Sequence, residues 1–166
     1  MLYLKKLSVS DGEGFYSLLQ RIERESYAMH NVVNGESYGF YKAWLSKMND
    51  WDLEKNLPEG YVRQTTYWLM KEDEPIGICR IRYKLTDSSR EYGGSFGYSI
   101  APEHRKHGYG TLFVKLILEE MREKKINEII SMVAVDNVAS NKIMLKNNGK
   151  LFRQNSEYNY YEFKKV

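Results

Sequence analysis

The chain has 166 residues, of which 42% are hydrophobic, and 25 Lys and Arg against 22 Asp and Glu leave a net charge of +3. That length supports one domain with a real core, expected over residues 1–166. The small charge, spread along the chain rather than gathered in a block, argues against nucleic acid as a partner, and the lack of any run of about 20 apolar residues argues against a membrane span.

A single cysteine, Cys79, leaves no intramolecular disulfide framework and fits a reducing compartment, so a cytoplasmic protein is expected. Cys79 lies in an expected strand, where it reads as a small buried apolar residue rather than a reactive thiol. The first residues, MLYLKKLSVSDGEG, hold no leader-like apolar run. Three histidines and one cysteine give no metal-ligand spacing, and no metal is expected.

Met1–Leu7 reads as a strand. A helix follows from Ser10-Asp11-Gly12-Glu13, with Ser10 and Glu13 as a capping box and Phe15, Leu18, Leu19 and Ile22 as its apolar stripe. Residues 25–35 form a loop. Glu36–Met48 is a second helix that packs through Phe40, Ala43, Trp44 and Met48. Asp50–Val62, containing Pro58 and Gly60, is a loop placed to wall a substrate site. Strands follow at Gln64–Lys71 and Ile76–Leu85 across the turn Glu72-Asp73-Glu74-Pro75, and Thr86–Gly94 is a polar loop.

The most informative stretch is Phe96–Met121, FGYSIAPEHRKHGYGTLFVKLILEEM. It opens as a strand with Phe96, Tyr98 and Ile100 on one face, stopped by Pro102. It ends as a helix with Phe113, Leu116, Ile117 and Met121 facing the core. Between them stand Arg105, Lys106, His107, Gly108, Tyr109, Gly110 and Thr111. Two glycines let several N–H groups turn inward at a helix start, whose unpaired amides and positive dipole end bind anions. The basic residues add charge, and the whole reads as a pyrophosphate cradle. The P-loop pattern is absent, and the dinucleotide fingerprint lacks its third glycine.

After that helix, Glu128–Val135 is almost wholly apolar and reads as a strand covered on both faces. Asn137–Lys146 is a helix capped by Asn137 and closed at Asn147-Asn148-Gly149. Lys150–Arg153 and Tyr158–Lys165 form a closing hairpin.

A strand, Pro-Glu, R-x-x-G-x-G and an amphipathic helix in one run resemble the acetyl-CoA-binding motif of the GNAT acetyltransferase superfamily. Val135-Asp136-Asn137-Val138-Ala139-Ser140-Asn141-Lys142 resembles that family's second recognisable segment. The likeness is specific over roughly residues 94–152 and topological before that. Thr65–Leu69 with Ile81-Arg82 further suggests a bacterial branch. The resemblance implies an α/β (α+β) fold: a mixed, mostly antiparallel sheet whose fourth and fifth strands are splayed by a bulge, flanked by about four helices.

It also implies acetyl-CoA as cosubstrate, with the pantetheine arm in the gap between those strands. Backbone groups at Tyr98, Ser99 and Ile100 would bond the arm. Residues 105–111 would hold the pyrophosphate, and Asn137, Ser140 and Asn141 would touch the arm from the far side. The implied reaction is acetyl transfer to a primary amine by direct attack in a ternary complex. Either a phenol, Tyr98 or Tyr109, serves as acid for the leaving thiolate, or the weakly basic thiolate leaves without help, and Asp136 stands as a base or amine-holding carboxylate. Many relatives place a Tyr seven residues after the Asn, where this chain has Met144. That departure keeps open a second reading, an acyl-CoA-binding sensor or scaffold without transfer activity. The expected acceptor is a small-molecule or peptide amine, and the expected state a monomer or homodimer.

Overall fold

The computed structural model describes residues 1–25 and 29–165, so part of the expected 25–35 loop, residues 26–28, lies outside the described residues. Two sheets carry the fold. Strands β1 (Leu2–Lys6), β2 (Gln64–Lys71), β3 (Glu74–Arg82) and β4 (Phe96–Ile100) form an antiparallel meander in that order. Strands β5 (Ile129–Ala134), β6 (Lys150–Gln154) and β7 (Tyr158–Phe163) form the second, with β7 in the middle.

Alternation on β2 builds two cores, because successive strand side chains point to opposite faces. Tyr67 and Leu69 pack with helix α4 (Tyr109–Glu123) through Phe113, Val114, Ile117, Leu118 and Met121. Trp68 and Met70 pack on the other face with helices α1 (Glu13–Arg21) and α2 (Tyr38–Asp52). Helices α3 (Asp87–Glu91) and α5 (Val138–Lys146) bring the α-helices among the described residues to five, against the four or so expected.

Helix α1 has no capping box. Its N-cap is Gly12 without a side-chain bond, while Asp11 turns inward. Its carboxylate accepts from the Ser8 N–H at 2.7 Å, from Trp68 Nε1 at 2.8 Å and from Lys5. The short acidic side chain is worth more as a buried acceptor for the indole than Ser10 is as a cap. Helix α2 packs one position away from the expected face. Tyr41, Trp44, Leu45, Met48 and Trp51 are buried, whereas Phe40 is 42% exposed. It also runs on to Asp52, whose carboxylate pairs with Lys6 and Arg63 and accepts from the Thr65 hydroxyl. Helix α3 interrupts the expected 86–94 loop, held by a Thr86–Ser89 capping box.

The two sheets meet at one point. The Ser95 N–H donates to Ile130 O at 2.7 Å, and the Ile130 N–H donates to Ser95 Oγ at 2.9 Å. Gly94 makes this approach possible: it has φ +66°, and a Cβ there would lie 2.5 Å from Ile130 O. From this joint β4 and β5 leave in the same direction, and among the described residues no further backbone hydrogen bond joins them. They splay toward their carboxyl ends. The β3–β4 ladder runs without a register shift from Gly77↔Ile100 to Ile81↔Phe96, so the gap opens by divergence past the Gly94 joint, not by a bulge in that ladder. Among the described residues no helix is long and apolar enough to cross a membrane, and no cluster of three His, Cys, Asp or Glu could hold a metal ion.

Candidate functional site

The open edge of β4 is the first part of the site. Ser95 O accepts from the Arg82 N–H, and the Ala101 N–H donates to Ile76 O. The Ser95 carbonyl and the Ala101 N–H therefore point toward β3, while the Ser95 N–H points to β5. Since peptide direction alternates along a strand, Gly97 and Ser99 turn their peptide groups toward β3, and Tyr98 and Ile100 turn theirs into the gap. Of the three backbone positions expected to bond the arm, two face the gap and Ser99 faces β3.

The second part lies where β4 hands over to α4. Pro102–His104 forms a single 3-10 turn. Lys106 (φ +63°) and Gly108 (φ +80°) then adopt left-handed conformations that rotate the chain so that α4 starts at Tyr109. Gly108 caps α4 with no side-chain bond, and a Cβ on it would meet nothing within 4 Å. Among the described residues the N–H groups of 106–111 meet no acceptor. The first amides of a helix are the ones left without intrahelical partners, so this is an amide-rich, open, positive pole. Gly110 serves a different purpose. A Cβ there would come within 2.7 Å of Ile143 Cδ1, so its bareness lets the first turn of α4 close on α5.

The basic side chains are less available than their sequence position implies. Arg105 donates its Nε to Ile100 O at 2.9 Å and grips both oxygens of Glu23 at 2.8 and 2.6 Å. That bond from the guanidinium holds the Glu23 carboxyl below its ordinary value. Glu23 had no sequence signal, being 82 residues away along the chain. Lys106 and His107 are exposed, His107 against the Tyr109 ring. Thr111 is half-buried and its carbonyl accepts from Asn147.

Helix α5 forms the far wall. Asn137 caps it by accepting from the Ser140 N–H. Ser140 Oγ lies 2.5 Å from the Tyr98 hydroxyl, which ties β4 to α5. Burial pushes the Tyr98 phenol up, partly offset by the Ser140 hydrogen bond, so it stays protonated at neutral pH. Asn141 is used up within the fold: its amide donates to Ala134 O and Asn137 O, and its oxygen accepts from Asn159 and the Tyr161 hydroxyl. Asp136 is exposed in the turn after β5, at the open end of the gap. Met144 is fully buried among core residues.

A family model described as an acetyltransferase (GNAT) domain matches residues 1–150. No curated protein matches the chain. Solved structures share its fold at low identity. The Campylobacter jejuni N-acetyltransferase PseH in complex with acetyl coenzyme A superposes with TM-score 0.68 at 15% identity, covering all of both chains. A Salmonella typhimurium acetyl transferase that modifies the N-terminal serine of ribosomal subunit protein L7/L12 has TM-score 0.64 at 15% identity, covering 98% of this chain and 94% of its own. The microcin C7 self-immunity acetyltransferase MccE, in complex with acetyl-CoA and AMP, has TM-score 0.68 at 15% identity, covering 98% and 91%.

Proposed function

The chain belongs to the GNAT acetyltransferase family, and on that premise we propose that it is an acetyl-CoA-dependent N-acetyltransferase acting on a primary amine within a ternary complex. The observation that carries this reading is the juxtaposition of a β4 edge open at Tyr98 and at the Ile100 N–H, the Ile100 carbonyl being taken by Arg105 Nε, with an open row of amides at the start of α4. Bound acetyl-CoA supplies a thioester carbonyl open to attack.

This chain's residues fit that group. The 106–111 amides suit a pyrophosphate, since backbone donors at a helix start favour anions without needing side chains. The N–H and carbonyl of Tyr98 and the N–H of Ile100 suit the amides of an extended arm. The Tyr98 N–H also suits an acyl oxygen as a polarising donor, a role in which a fixed N–H is worth most in a water-poor gap.

Two proton movements remain. An alkyl amine has a pKa of about 10.4, so it must lose a proton before it can attack. Asp136, exposed at the open end of the gap, is the carboxylate we assign to that step, directly or through water. The departing thiolate takes a proton from the Tyr98 hydroxyl, whose pair with Ser140 supplies a route for its replacement. Tyr98 here substitutes for a phenol on α5, where Met144 is buried and carries no proton.

The burial of Met144 also favours the second reading, a module that binds acyl-CoA without transfer. Calorimetric titration with acetyl-CoA, followed by thiol release with a panel of amines, tests both. Binding near micromolar, about 8 kcal/mol, with thiol release establishes transfer. Binding without release from any amine leaves the sensor reading. Absence of binding removes both.

A further inference from the structure

The face of β3 opposite α4 carries two arginines, Arg80 and Arg82, spaced i and i+2 so that both point to the same side. They line a cavity of about 200 Å³ between the loop that precedes β2 and helix α3. Its walls bring Gln64, Thr86, Ser88 and Ser89, with Tyr61 and Tyr92 at 49% and 70% exposure. No aspartate or glutamate lines it, and among the described residues neither arginine has an ion pair. Arg80 Nε is buried with no hydrogen-bond partner, and so is Gln64 Oε1. The Arg82 guanidinium donates to the neutral Gly94 carbonyl, at 2.7 Å. Trp51 lies against the Arg80 guanidinium at 5.5 Å. Burial first, and then the charge of Arg82, push Arg80 down to about 10, so it remains a cation at neutral pH.

A guanidinium drawn partly into the protein with no carboxylate beside it is costly for a fold, and here two half-buried ones stand side by side, Arg80 with its Nε unsatisfied and Arg82 with only a neutral carbonyl. The arrangement makes sense only with an anion between them. Guanidinium forks match the oxygens of a phosphate or carboxylate, and the wall hydroxyls and amide add neutral donors. The room is roughly ten times what one water needs.

The cavity also touches the reacting edge. Arg80 is the register partner of Gly97, immediately before Tyr98 on β4. A second, smaller recess lined by both Arg80 and Ser99 continues along the same face. The Arg80 backbone therefore lies one strand spacing, about 4.8 Å, from the strand that faces the gap, and its side chain holds a group over the same face of the sheet.

We infer that the acceptor is an anionic amine, carrying a phosphate or carboxylate group that Arg80 and Arg82 bind while its amino group reaches β4. This rests on the transferase reading above and names the substrate class for that site. Selection works against cationic polyamines, which the two arginines repel.

The test uses the intact protein and its Arg80→Met and Arg82→Met variants. Acetyl-CoA binding is measured first by calorimetry. Its failure in the wild type counts against the transferase reading alone, independently of any acceptor preference. Thiol release is then compared for O-phosphoethanolamine, β-alanine, ethanolamine and putrescine. The expected result is kcat/KM at least about tenfold higher for one of the anionic amines than for ethanolamine. In Arg80→Met that ratio collapses to within about threefold, with acetyl-CoA affinity unchanged. The arm that prevails separates phosphate from carboxylate.

Where none of the four turns over, thermal unfolding in inorganic phosphate and in malonate, against chloride at equal ionic strength, decides. A rise in the wild-type midpoint that both variants lose supports the anion site. Arg80→Met is further expected to unfold at a higher temperature than the wild type in chloride, because it removes a half-buried charge that has no carboxylate partner and a buried Nε without an acceptor. A merely structural arginine would give the opposite sign. Equal turnover of anionic and neutral amines, an anionic preference that survives Arg80→Met, or no oxyanion effect on either protein overturns the inference.

Discussion

The two ends of the reaction are met by two different kinds of chemistry. On the α4 side the open groups belong to the backbone: the amides of 106–111 stand open, while the one arginine of the motif that the fold holds in place, Arg105, is taken by Glu23 and Ile100 O. On the α1–α2 side the open groups belong to side chains: Arg80 and Arg82 stand without carboxylates in a walled cavity. A cosubstrate shared across a family can be held by peptide groups that every sequence possesses. An acceptor peculiar to one member needs side chains that differ. The cradle therefore leaves a glycine signature in the sequence, and the proposed acceptor cavity leaves none.

The sharpest way to break this contrast is Gly108→Asp. Aspartate tolerates the left-handed region better than most residues. At the N-cap its carboxylate can occupy the very amides that a pyrophosphate needs, and it adds a like charge. Acetyl-CoA affinity should fall by about a hundredfold or more, close to 3 kcal/mol, with little change in the thermal midpoint. An affinity within about threefold of wild type, measured by calorimetry, would mean that side chains and not amides hold the anion.

Tyr98→Phe probes the gap between the two regions. It keeps the ring against Phe113 and removes only the hydroxyl bonded to Ser140. Loss of a general acid costs about 10²-fold in kcat, and acetyl-CoA affinity should not move. The pH profile provides a second check. Burial raises the Tyr98 phenol above its ordinary value, so its protonated form persists through pH 9, and kcat should show no alkaline fall from this group below about pH 10. An alkaline fall centred near pH 8 that disappears in Tyr98→Phe would contradict the burial argument.

Asn141→Ala separates scaffold from ligand contact. Its four hydrogen bonds fasten α5 to β5 and β7. Truncation takes the acceptor from the Tyr161 hydroxyl and the Asn159 amide, while the Ala134 and Asn137 carbonyls keep their backbone donors, at a cost of about 2 kcal/mol in stability. Below the transition the folded variant should bind acetyl-CoA as the wild type does. A large loss of affinity without loss of stability would return Asn141 to the arm.

These cases show why some features were legible in the sequence. The run from Phe96 to Met121 combines a period-two strand, a proline stop, paired glycines and a 3.6-period helix, all local signals that the fold keeps. Asn137 was readable for the same reason, since a cap acts within three residues. Features built from distant contacts were not. Ser10 and Glu13 match a capping box, but Asp11 is claimed by Trp68, 57 residues away. The face of α2 shifts because Tyr41 is drawn inward to bond Asp11 O at 3.0 Å, a demand invisible in the spacing of Phe40 and Ala43. Arg80 and Arg82 read as ordinary strand residues until the sheet shows that no acid faces them.

The smallest effect expected comes from Glu23→Gln, and it tests whether Arg105 is held back or merely stored. The guanidinium lowers the Glu23 carboxyl below its ordinary value. A carboxylate so depressed contributes stability above its unfolded pKa of about 4.3 and loses it as pH falls through the lower folded value. Glu23 is 49% exposed, so solvent and salt screen the pair, and its worth at pH 7 is under about 1 kcal/mol. Urea midpoints of wild type and Glu23→Gln should therefore differ slightly at pH 7 and converge as pH falls through the lowered Glu23 value. Acetyl-CoA affinity should stay within about twofold, because the Nε bond to Ile100 O still anchors the freed arginine along β4. A clear gain in affinity that vanishes at high salt would instead make Arg105 a reserve cation for the pyrophosphate, and the cradle would no longer be a matter of backbone alone.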